Sequence, residues 1–571
     1  MARNVAEIVV DTLAKAGAKR VYGIPGDTIN HLTNALATSD LRWIGVRHEE
    51  AGAFAAGGEA YMTGELGVCA GTCGPGSLHF VNGIYESHRN GAPVVLIASD
   101  VARTESGFNF PQEVDQKKIY EQHSHFCEYI SHPSQARRIV TKAAQAALTK
   151  KGVAVVIVNG DMFTETDDDE MDWQVYRPRP ICRPCDAEMA ELAALVDAAS
   201  KITVYAGIGA RDAREEVIAF CDKVNAPMVH TTRAKEFLEP NNPFNVGVNG
   251  ILGNKAGVEA LEDADLVISL GCDFAYTQYY PEAKKIVQID LDPTHLGRRS
   301  AIHLGLTGDA KTTMAALLPL VEAKDDQSHL ENQRKQWQED LRSYDKESEE
   351  SDPSLIHPQF VTKMLDDKAA DDAIFTSDAG TTMVWMLRHL KANGKRRFLN
   401  TLLHGTMGSG MAQAMGINLA YPDRQVIAMC GDGSLTMLMG DLLTLVQEKI
   451  SLKLLIFRNN SLGFVEMEQR VEGLVDHYTA LHNPDFAKLA EACGIAGWQV
   501  DDADRLEPAM DAWLRHEGPA LLDVKVNQME LVMPPKIEVS QVAGTALFGA
   551  KAVIDGRARE VVDLLRNNFL R

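Results

Sequence analysis

No stretch of the chain reaches the ~18–20 consecutive apolar residues that a membrane-spanning helix requires, so the sequence does not read as a transmembrane protein. The first residues, Met1-Ala-Arg-Asn-Val-Ala-Glu7, hold no apolar segment of the kind a secretory leader needs. The nine cysteines are odd in number and scattered, which does not fit a disulfide-stapled secreted domain. Cys182-Arg-Pro-Cys185 has no second pair or His partner at zinc-finger spacing and reads as two reduced linker cysteines. Basic side chains are in short supply: 57 against 79 acidic, a net charge of −22. Such a surface repels phosphate backbones, which excludes nucleic acid as a general partner, and it disfavours anionic lipid. There is no low-complexity repeat. The chain reads as cytosolic.

What is present is ordinary globular composition, 45% hydrophobic and 24% charged, at a length of 571 residues. At roughly 150 residues per domain this makes about three or four domains, with ample core. Three blocks alternate strand-like and helix-like segments. The first, 1–180, opens on a helical pattern from Ala6. It continues through a short strand and Gly/Pro turn at Val21–Asp27 and strands at Gly67–Gly71, Pro93–Ile97 and Val153–Val158. The second, 186–330, has strands starting at Ile202, Met228, Leu266 and Ile286. Residues 323–352 are charged and poor in apolar residues, and read as a solvated helix and linker. The third, 350–530, has strands starting at Ala373, Gln425, Leu452 and Ala520. The strands are continuous apolar runs, as suits strands buried on both faces. The expected architecture is α/β, three doubly wound parallel-sheet domains, followed by a short tail, 531–571.

One constellation carries chemistry. The apolar strand Gln425–Cys430 ends in Gly431-Asp432-Gly433-Ser434, and a helical pattern follows. The next strand, Leu452–Phe457, leads into Asn459-Asn460. The carboxyl ends of neighbouring parallel strands are where open α/β sheets bind ligands. A carboxylate, an Asn oxygen and a turn carbonyl suit octahedral Mg²⁺, with ligand phosphates completing its shell. The glycines let backbone approach a diphosphate.

This spacing resembles the thiamine-diphosphate enzymes. A second element supports the resemblance: Arg47-His48-Glu49-Glu50 ahead of an Ala/Gly-rich helix at Ala51–Ala60. In that family a Glu meets the aminopyrimidine of the cofactor and promotes its deprotonation, and Glu49 matches that position. The resemblance narrows to pyruvate oxidases, and most closely to pyruvate:quinone oxidoreductases, over nearly the whole chain. It rests on Gly71–His79, Asn82–Arg89, Leu462-Gly-Phe-Val465, Gly250-Ile-Leu-Gly253, Leu270–Phe274 and Ile289–Pro293.

The resemblance implies that block one binds the pyrimidine, block two FAD and block three the diphosphate and Mg²⁺. Metal ligands would be Asp432, Asn459 and the backbone of Ser461, with Asn460 a bystander. Gly405, Thr406 and Met407 would hold the aminopyrimidine and bend the cofactor, and Gly433, Ser434, Leu462, Gly463, Phe464 and Val465 would complete its pocket. Gln112 would contact substrate, Glu468 would face the reaction centre, and Phe464 would stand between flavin and quinone or simply fill core. The FAD set would be Gly250, Ile251, Leu252, Gly253, Asp273, Phe274, Ala275, Tyr276, Thr277, Asp290 and Asp292.

Two departures stand out. Arg458 occupies the first position after the strand, where the family often has Asn. Phe110-Pro111-Gln112-Glu113 puts Pro111 where those enzymes carry Phe, which bears on which 2-oxo acid fits. The implied reaction converts pyruvate to acetate and CO₂, with electrons passing through FAD to a quinone. A carboligase of the acetolactate synthase type and an O₂-using oxidase forming acetyl phosphate remain open. The family also implies a homo-oligomer, at least a dimer and by resemblance a tetramer. In the tail, Ala558, Val561, Val562, Leu565 and Phe569 recur at helical spacing from Arg557 onward. The resemblance implies a lipid-binding helix, and a chain conditionally peripheral at the inner face of the cell membrane, while docking of the same helix on the body of the protein remains open.

Overall fold

The computed structural model describes residues 3–168, 171, 173–178, 181–282, 284–349, 354–530, 532, 535, 539–554, 557, 561, 562 and 564. Three six-stranded parallel sheets, each flanked by helices, form three α/β domains. In the first, strands Arg42–Gly45, Arg20–Ile24, Gly67–Gly71, Val94–Asp100, Val153–Asn159 and Phe126–Tyr129 lie side by side in that order. The third repeats the topology with Arg397–Asn400, Ile374–Ser377, Val426–Gly431, Lys453–Arg458, Ala520–Lys525 and Ala496–Val500. Numbered along the chain, both sheets read 2-1-3-4-6-5. The central sheet differs. Its order Asn245–Val248, Met228–His230, Ile202–Ala206, Leu266–Leu270, Lys285–Asp290, Leu304–Thr307 is 3-2-1-4-5-6, the arrangement of dinucleotide-binding folds.

The first and third domains meet through helices Glu49–Thr63 and Ser409–Ala420. Both are rich in small residues because their backbones nearly touch: a Cβ on Gly416 would collide with the Ala55 carbonyl. The buried apolar residues of both helices join one core cluster with the two sheets, among them Phe54, Met411 and Met415.

Two expectations change. The charged segment does form a helix, Ser328–Glu347, but it is not merely solvated. His329, Leu330, Gln333 and Asp340 are buried, and Asp340 Oδ2 accepts from Ala256 N at 2.8 Å and Asn254 Nδ2 at 2.9 Å. The helix belongs to the central domain because its one buried carboxylate satisfies donors at the start of helix Lys255–Glu262. In the tail, a helix not expected, Val539–Ile554, precedes the segment expected to be helical, within which the described residues Val561, Val562 and Leu564 are helical. Phe548, Ala552 and Leu564 are buried together, with Val561 partly buried beside them and Val562 exposed. Ala558, Leu565 and Phe569 lie outside the described residues.

Candidate active site

Glu49 starts the helix that follows edge strand Arg42–Gly45. His48 caps that helix, its Nδ1 accepting from Glu50 N at 3.2 Å. The Glu49 carboxyl is buried, and its Oε2 lies 2.9 Å from His79 Nδ1. The His79 ring stacks on His48 at 4.6 Å. Oε1 faces the other way, 3.5 Å from where a side chain on Gly76 would begin. One residue on, Glu50 Oε1 accepts from Asn82 Nδ2 at 2.5 Å. The same amide donates to Thr406 Oγ1 at 2.9 Å, and Asn82 Oδ1 lies 2.8 Å from His404 Nε2. Asn82 thus ties the Glu49 region to the His404–Met407 loop of the third domain. Gly405 turns that loop at φ +72°, its N–H donating to Thr401 O at 2.6 Å.

Strands Val426–Gly431 and Lys453–Arg458 pair in parallel with Gly431 opposite Phe457, so their carboxyl ends open side by side. Asp432 sits there, 2% exposed. Its Oδ1 accepts from Gly433 N at 2.9 Å, and its Oδ2 from Asn460 N at 2.6 Å and Asn483 Nδ2 at 2.9 Å. Burial pushes the carboxyl above its ordinary range, and every donor on it is neutral. A buried carboxylate without a cation is costly, so this environment fits a bound divalent ion. The oxygens of Asp432, Asn459 and the Ser461 backbone would hold it. Asn459 Oδ1 accepts from Ser461 N at 3.0 Å. Above them, a Cβ on Gly433 would come within 2.9 Å of Leu481 and 3.6 Å of the Met407 methyl, a narrow slot that suits a diphosphate against backbone. Ser434 is buried at the same turn.

Asn460, expected to be a bystander to the metal ligands, touches Asp432 through its backbone. The chain turns there at φ +56°, which aims its N–H at Asp432, and its Oδ1 accepts from Asn483 Nδ2 at 3.0 Å. Asn483 itself has no signal in the spacing. The antiparallel bridge Ser461–Ala480 and the bonds of Leu462 N to Thr479 O and Leu481 N to Asn460 O fold its loop back. Arg458 turns away, donating to Asp523 at 2.9 and 3.0 Å and to Asp501 at 2.6 Å, and so clamps neighbouring strand ends.

Gln112 approaches the Glu49 side. Its Oε1 accepts from Cys73 Sγ at 3.4 Å, and its φ of +68° marks a strained loop. Phe110 and Pro111 are exposed beside it. Leu462 leads into helix Gly463–Val471. On it Val465 is 44% exposed, while Phe464 packs against the third domain's core. Glu468 is held above the usual carboxylate range by partial burial and by Glu472.

In the central domain, the sheet order reverses between Ile202–Ala206 and Leu266–Leu270, the crevice where such folds take dinucleotides. Gly207 and Gly209 meet Gly271 there backbone to backbone. Gly250, at φ +104°, leaves room that the Phe274 ring fills. Ile251 and Leu252 point instead into the third domain's core cluster, so only the backbone of that loop is open to a ligand. The Leu252 and Gly253 carbonyls accept from Arg388 at 3.4 and 3.2 Å. Asp273 is gripped by Arg298 and Arg299, which hold its carboxyl below the ordinary range even though half-burial opposes them. Ala275, Tyr276 and Thr277 continue that loop, with Tyr276 exposed. At the end of strand Lys285–Asp290, Asp290 Oδ1 accepts from Asp292 N at 2.9 Å, and Asp292 caps the following turn. Among the described residues, no group of three or more His, Cys, Asp or Glu could hold a metal, and Cys182 and Cys185 are exposed free thiols.

Comparison with known proteins bears on this geometry. The chain matches three family models: "Thiamine pyrophosphate enzyme, N-terminal TPP binding domain" at 3–119, "central domain" at 189–317 and "C-terminal TPP binding domain" at 378–524. It is 34% identical to the "Putative thiamine pyrophosphate-containing protein YdaP" of Bacillus subtilis (strain 168) over 99% of both chains. It is 29% identical to a pyruvate oxidase of Lactiplantibacillus plantarum, over 94% of this chain and 91% of that one. The large subunit of acetolactate synthase isozyme 2 from Escherichia coli (strain K12) is 28% identical, over 93% and 97%. With Glu49 and Asp432 seated in the two domains those models describe, the chain belongs to the thiamine pyrophosphate enzyme family.

Proposed function

We propose that the protein oxidatively decarboxylates pyruvate or a related 2-oxo acid to the carboxylic acid and CO₂, with electrons leaving through FAD to a quinone. Thiamine diphosphate, when bound with Mg²⁺, supplies the electron sink for decarboxylation. The chain's residues do the rest. Glu49, with Oε2 held by His79, moves a proton at Oε1. Asp432 and Asn459 anchor the cation, Met407 shapes the pocket, and Gln112 orients the substrate. The carrying observation is helix Thr381–His389. Its first residue packs toward Gly463, 3.9 Å from that residue's Cβ position, and its Arg388 binds the Leu252–Gly253 carbonyls. One short helix therefore joins the metal loop to the expected flavin loop, which supports redox exchange between them.

The acetolactate synthase relatives favour a second reading, a carboligase that holds flavin without redox use. Anaerobic addition of pyruvate separates the two: a flavin that bleaches and is reoxidised by a soluble quinone analogue supports the oxidoreductase. A flavin that stays oxidised sinks it. Stoichiometric peroxide with phosphate-dependent turnover would instead favour an O₂-using oxidase.

We further infer a homo-oligomer, at least a dimer. Glu49 and Asp432 are held by separate hydrogen-bond networks, and Met437, Met439, Leu443 and Val446 leave an apolar surface exposed on the third domain. The placement we propose is cytoplasmic, conditionally peripheral at the inner membrane face through the C-terminal tail. Among the described residues no helix is long and apolar enough to cross a membrane. The tail lies docked on helix Gly463–Val471 through Phe548 against Arg470, Lys551 Nζ to Gly473 O at 2.8 Å and Arg557 to Asp476 at 2.9 Å. A chain truncated before Arg557 that binds vesicles as well as the full chain would remove the tail as anchor.

A further inference from the structure

Glu466 is a buried carboxylate that the proposed chemistry leaves unused. It lies in the first turn of helix Gly463–Val471, is 1% exposed, and its N–H donates to Leu462 O at 2.9 Å. Its Oε1 accepts from Arg470 Nη2, itself buried. Its Oε2 accepts from Ser461 Oγ. Gln528 Nε2 approaches both oxygens, at 3.5 and 3.4 Å. Arg470 has a further carboxylate, Asp476, at 3.4 Å, and the Phe548 ring covers its guanidinium at 5.3 Å. Disturbing one member of such a buried, hydrogen-bonded ion pair is costly, so whatever the pair grips is held firmly. What it grips is the loop that carries the candidate cation ligands.

Ser461 is fixed at two atoms. Its hydroxyl has one proton, which goes to Glu466, and its N–H donates to Asn459 Oδ1 at 3.0 Å. Its carbonyl accepts no hydrogen bond among the described residues, although the residue is 4% exposed. Buried carbonyls are rarely left without a positive partner, so this oxygen suits a cation beside Asp432 and Asn459. Both Glu466 oxygens already face donors, which makes Glu466 a support of that site and not one of its ligands.

We propose that Glu466 is the positioning residue of the cation site and sets its preference for Mg²⁺ over Ca²⁺. By holding Ser461 through its hydroxyl, it fixes where the Ser461 carbonyl stands relative to Asp432 and Asn459. Mg²⁺ demands near-ideal octahedral oxygens at about 2.0–2.1 Å, whereas Ca²⁺ accepts about 2.3–2.6 Å and an adaptable shell. Releasing one ligand to move therefore costs Mg²⁺ more than Ca²⁺. This role rests on the cation site read above at Asp432 and is indifferent to which electron acceptor the enzyme uses. Glu466→Ala leaves Arg470 with Asp476 and adds positive charge near the site, which weakens both divalent ions alike. The ratio of the two affinities cancels that common effect and isolates the geometry.

The test is titration of the full chain, stripped of metal by a chelator, with Mg²⁺ or Ca²⁺ at saturating thiamine diphosphate, binding being read by calorimetry and intrinsic fluorescence without turnover. Wild type should prefer Mg²⁺, and Glu466→Ala should lower the Mg²⁺ to Ca²⁺ affinity ratio by about tenfold or more. Ser461→Ala, which keeps the backbone carbonyl and the Glu466–Arg470 pair and cuts only the tether, should lower the ratio likewise. Asp432→Asn should weaken both ions. A wild type without Mg²⁺ preference, or an unchanged ratio in Glu466→Ala beside a defective Asp432→Asn, overturns the positioning role and leaves the cation site standing. Thiamine diphosphate binding that ignores both ions, or survives Asp432→Asn, removes the cation site and this role with it. If Glu466→Ala fails to fold, Ser461→Ala decides alone, and an unchanged ratio there refutes the proposal.

Discussion

Replacing Glu86 by Gln tests how the first domain packs on the third. Glu86 sits on helix Val81–Asn90 and is 1% exposed. Its carboxyl accepts from Asn90 Nδ2 at 2.6 Å, from Thr401 Oγ1 at 2.8 Å and from Gln413 Nε2 at 3.4 Å, the last two across the domain boundary. All three donors are neutral. Burial outweighs them and pushes the carboxyl from an ordinary 4.5 up to about 7. The unfolded chain releases this proton near 4.5, so between pH 4.5 and 7 the folded protein holds a proton that the unfolded one has lost. The stability it contributes is fully present below 4.5 and is lost as pH rises through 7. At ~1.4 kcal/mol per pH unit, that window amounts to ~3 kcal/mol.

Glu86→Gln keeps the shape and an acceptor while removing the charge. The amide has to find a new acceptor, and Thr401 Oγ1, which already accepts from Thr406 N at 3.1 Å, has a second lone pair for it. A poor fit there would take back ~1 kcal/mol. Calorimetric melting at fixed chain concentration should show wild type and variant nearly equal at pH 4.5–5. By pH 8 the variant should be ahead by ~2–3 kcal/mol, a rise of roughly 5–10 °C. A variant that melts below wild type at pH 8, or a difference that does not change between pH 5 and 8, would refute the reasoning.

Glu49→Gln should lower 2-oxo acid turnover by ~10²–10⁴-fold with the cofactor still bound, measured by steady-state decarboxylation and cofactor content after gel filtration. Turnover above a tenth of wild type would count against Glu49 as the proton carrier. Asp432→Asn should raise the melting temperature of the cofactor-free protein, since a buried carboxylate with no cation is removed, yet raise the Mg²⁺ needed to retain thiamine diphosphate by about tenfold or more. Parallel losses in both states would contradict a cation site. Gly416→Ala puts a methyl into the Ala55 carbonyl across the domain contact and should destabilise by ~1–3 kcal/mol, read as a lower melting temperature.

The strands legible in the sequence share one property. Val153–Asn159, Leu266–Leu270 and Val426–Gly431 are interior to their sheets, with layers packed on both faces, and so read as unbroken apolar runs. The strands that escape the same criterion are the edges: Arg42–Gly45 (RWIG), Phe126–Tyr129 (FCEY), Asn245–Val248 (NVGV), Leu304–Thr307 (LGLT), Arg397–Asn400 (RFLN) and Ala496–Val500 (AGWQV). An edge strand has one unpaired side and less cover, so it is short and carries Arg, Gly, Asn or Glu, which breaks the run. The helix Ser328–Glu347 misleads for a related reason. Its composition is that of a solvated surface, while only a few residues bind it to the central domain: buried Leu330, and the polar groups of His329, Gln333 and Asp340 through hydrogen bonds to Thr203, Asp263 and the Asn254–Ala256 turn.

The candidate site divides along the same physical line. Asp432 and Asn459 are legible because two short helices, Asp432–Met437 and Leu442–Gln447, and strand Lys453–Arg458 separate them, and the lengths of those elements make their spacing nearly fixed. Glu49 is legible because it must precede a helix of small residues that lies against Ser409–Ala420. Asn483 reaches Asp432 from a loop, and Asn82, in the first turn of helix Val81–Asn90, reaches Glu50 beside Glu49, each through its own hydrogen bonds, and no fixed spacing from the motif residues announces either. The Asn460 contact is illegible because the left-handed turn that aims its N–H at Asp432 is a local backbone event with no glycine to announce it. The buried carboxylates depend most on these illegible residues: remove Asn483 and Asn460, and Asp432 keeps one neutral donor, Gly433 N–H. A motif therefore identifies which group does the chemistry, while the groups that keep it charged and in place are visible only once the chain has folded.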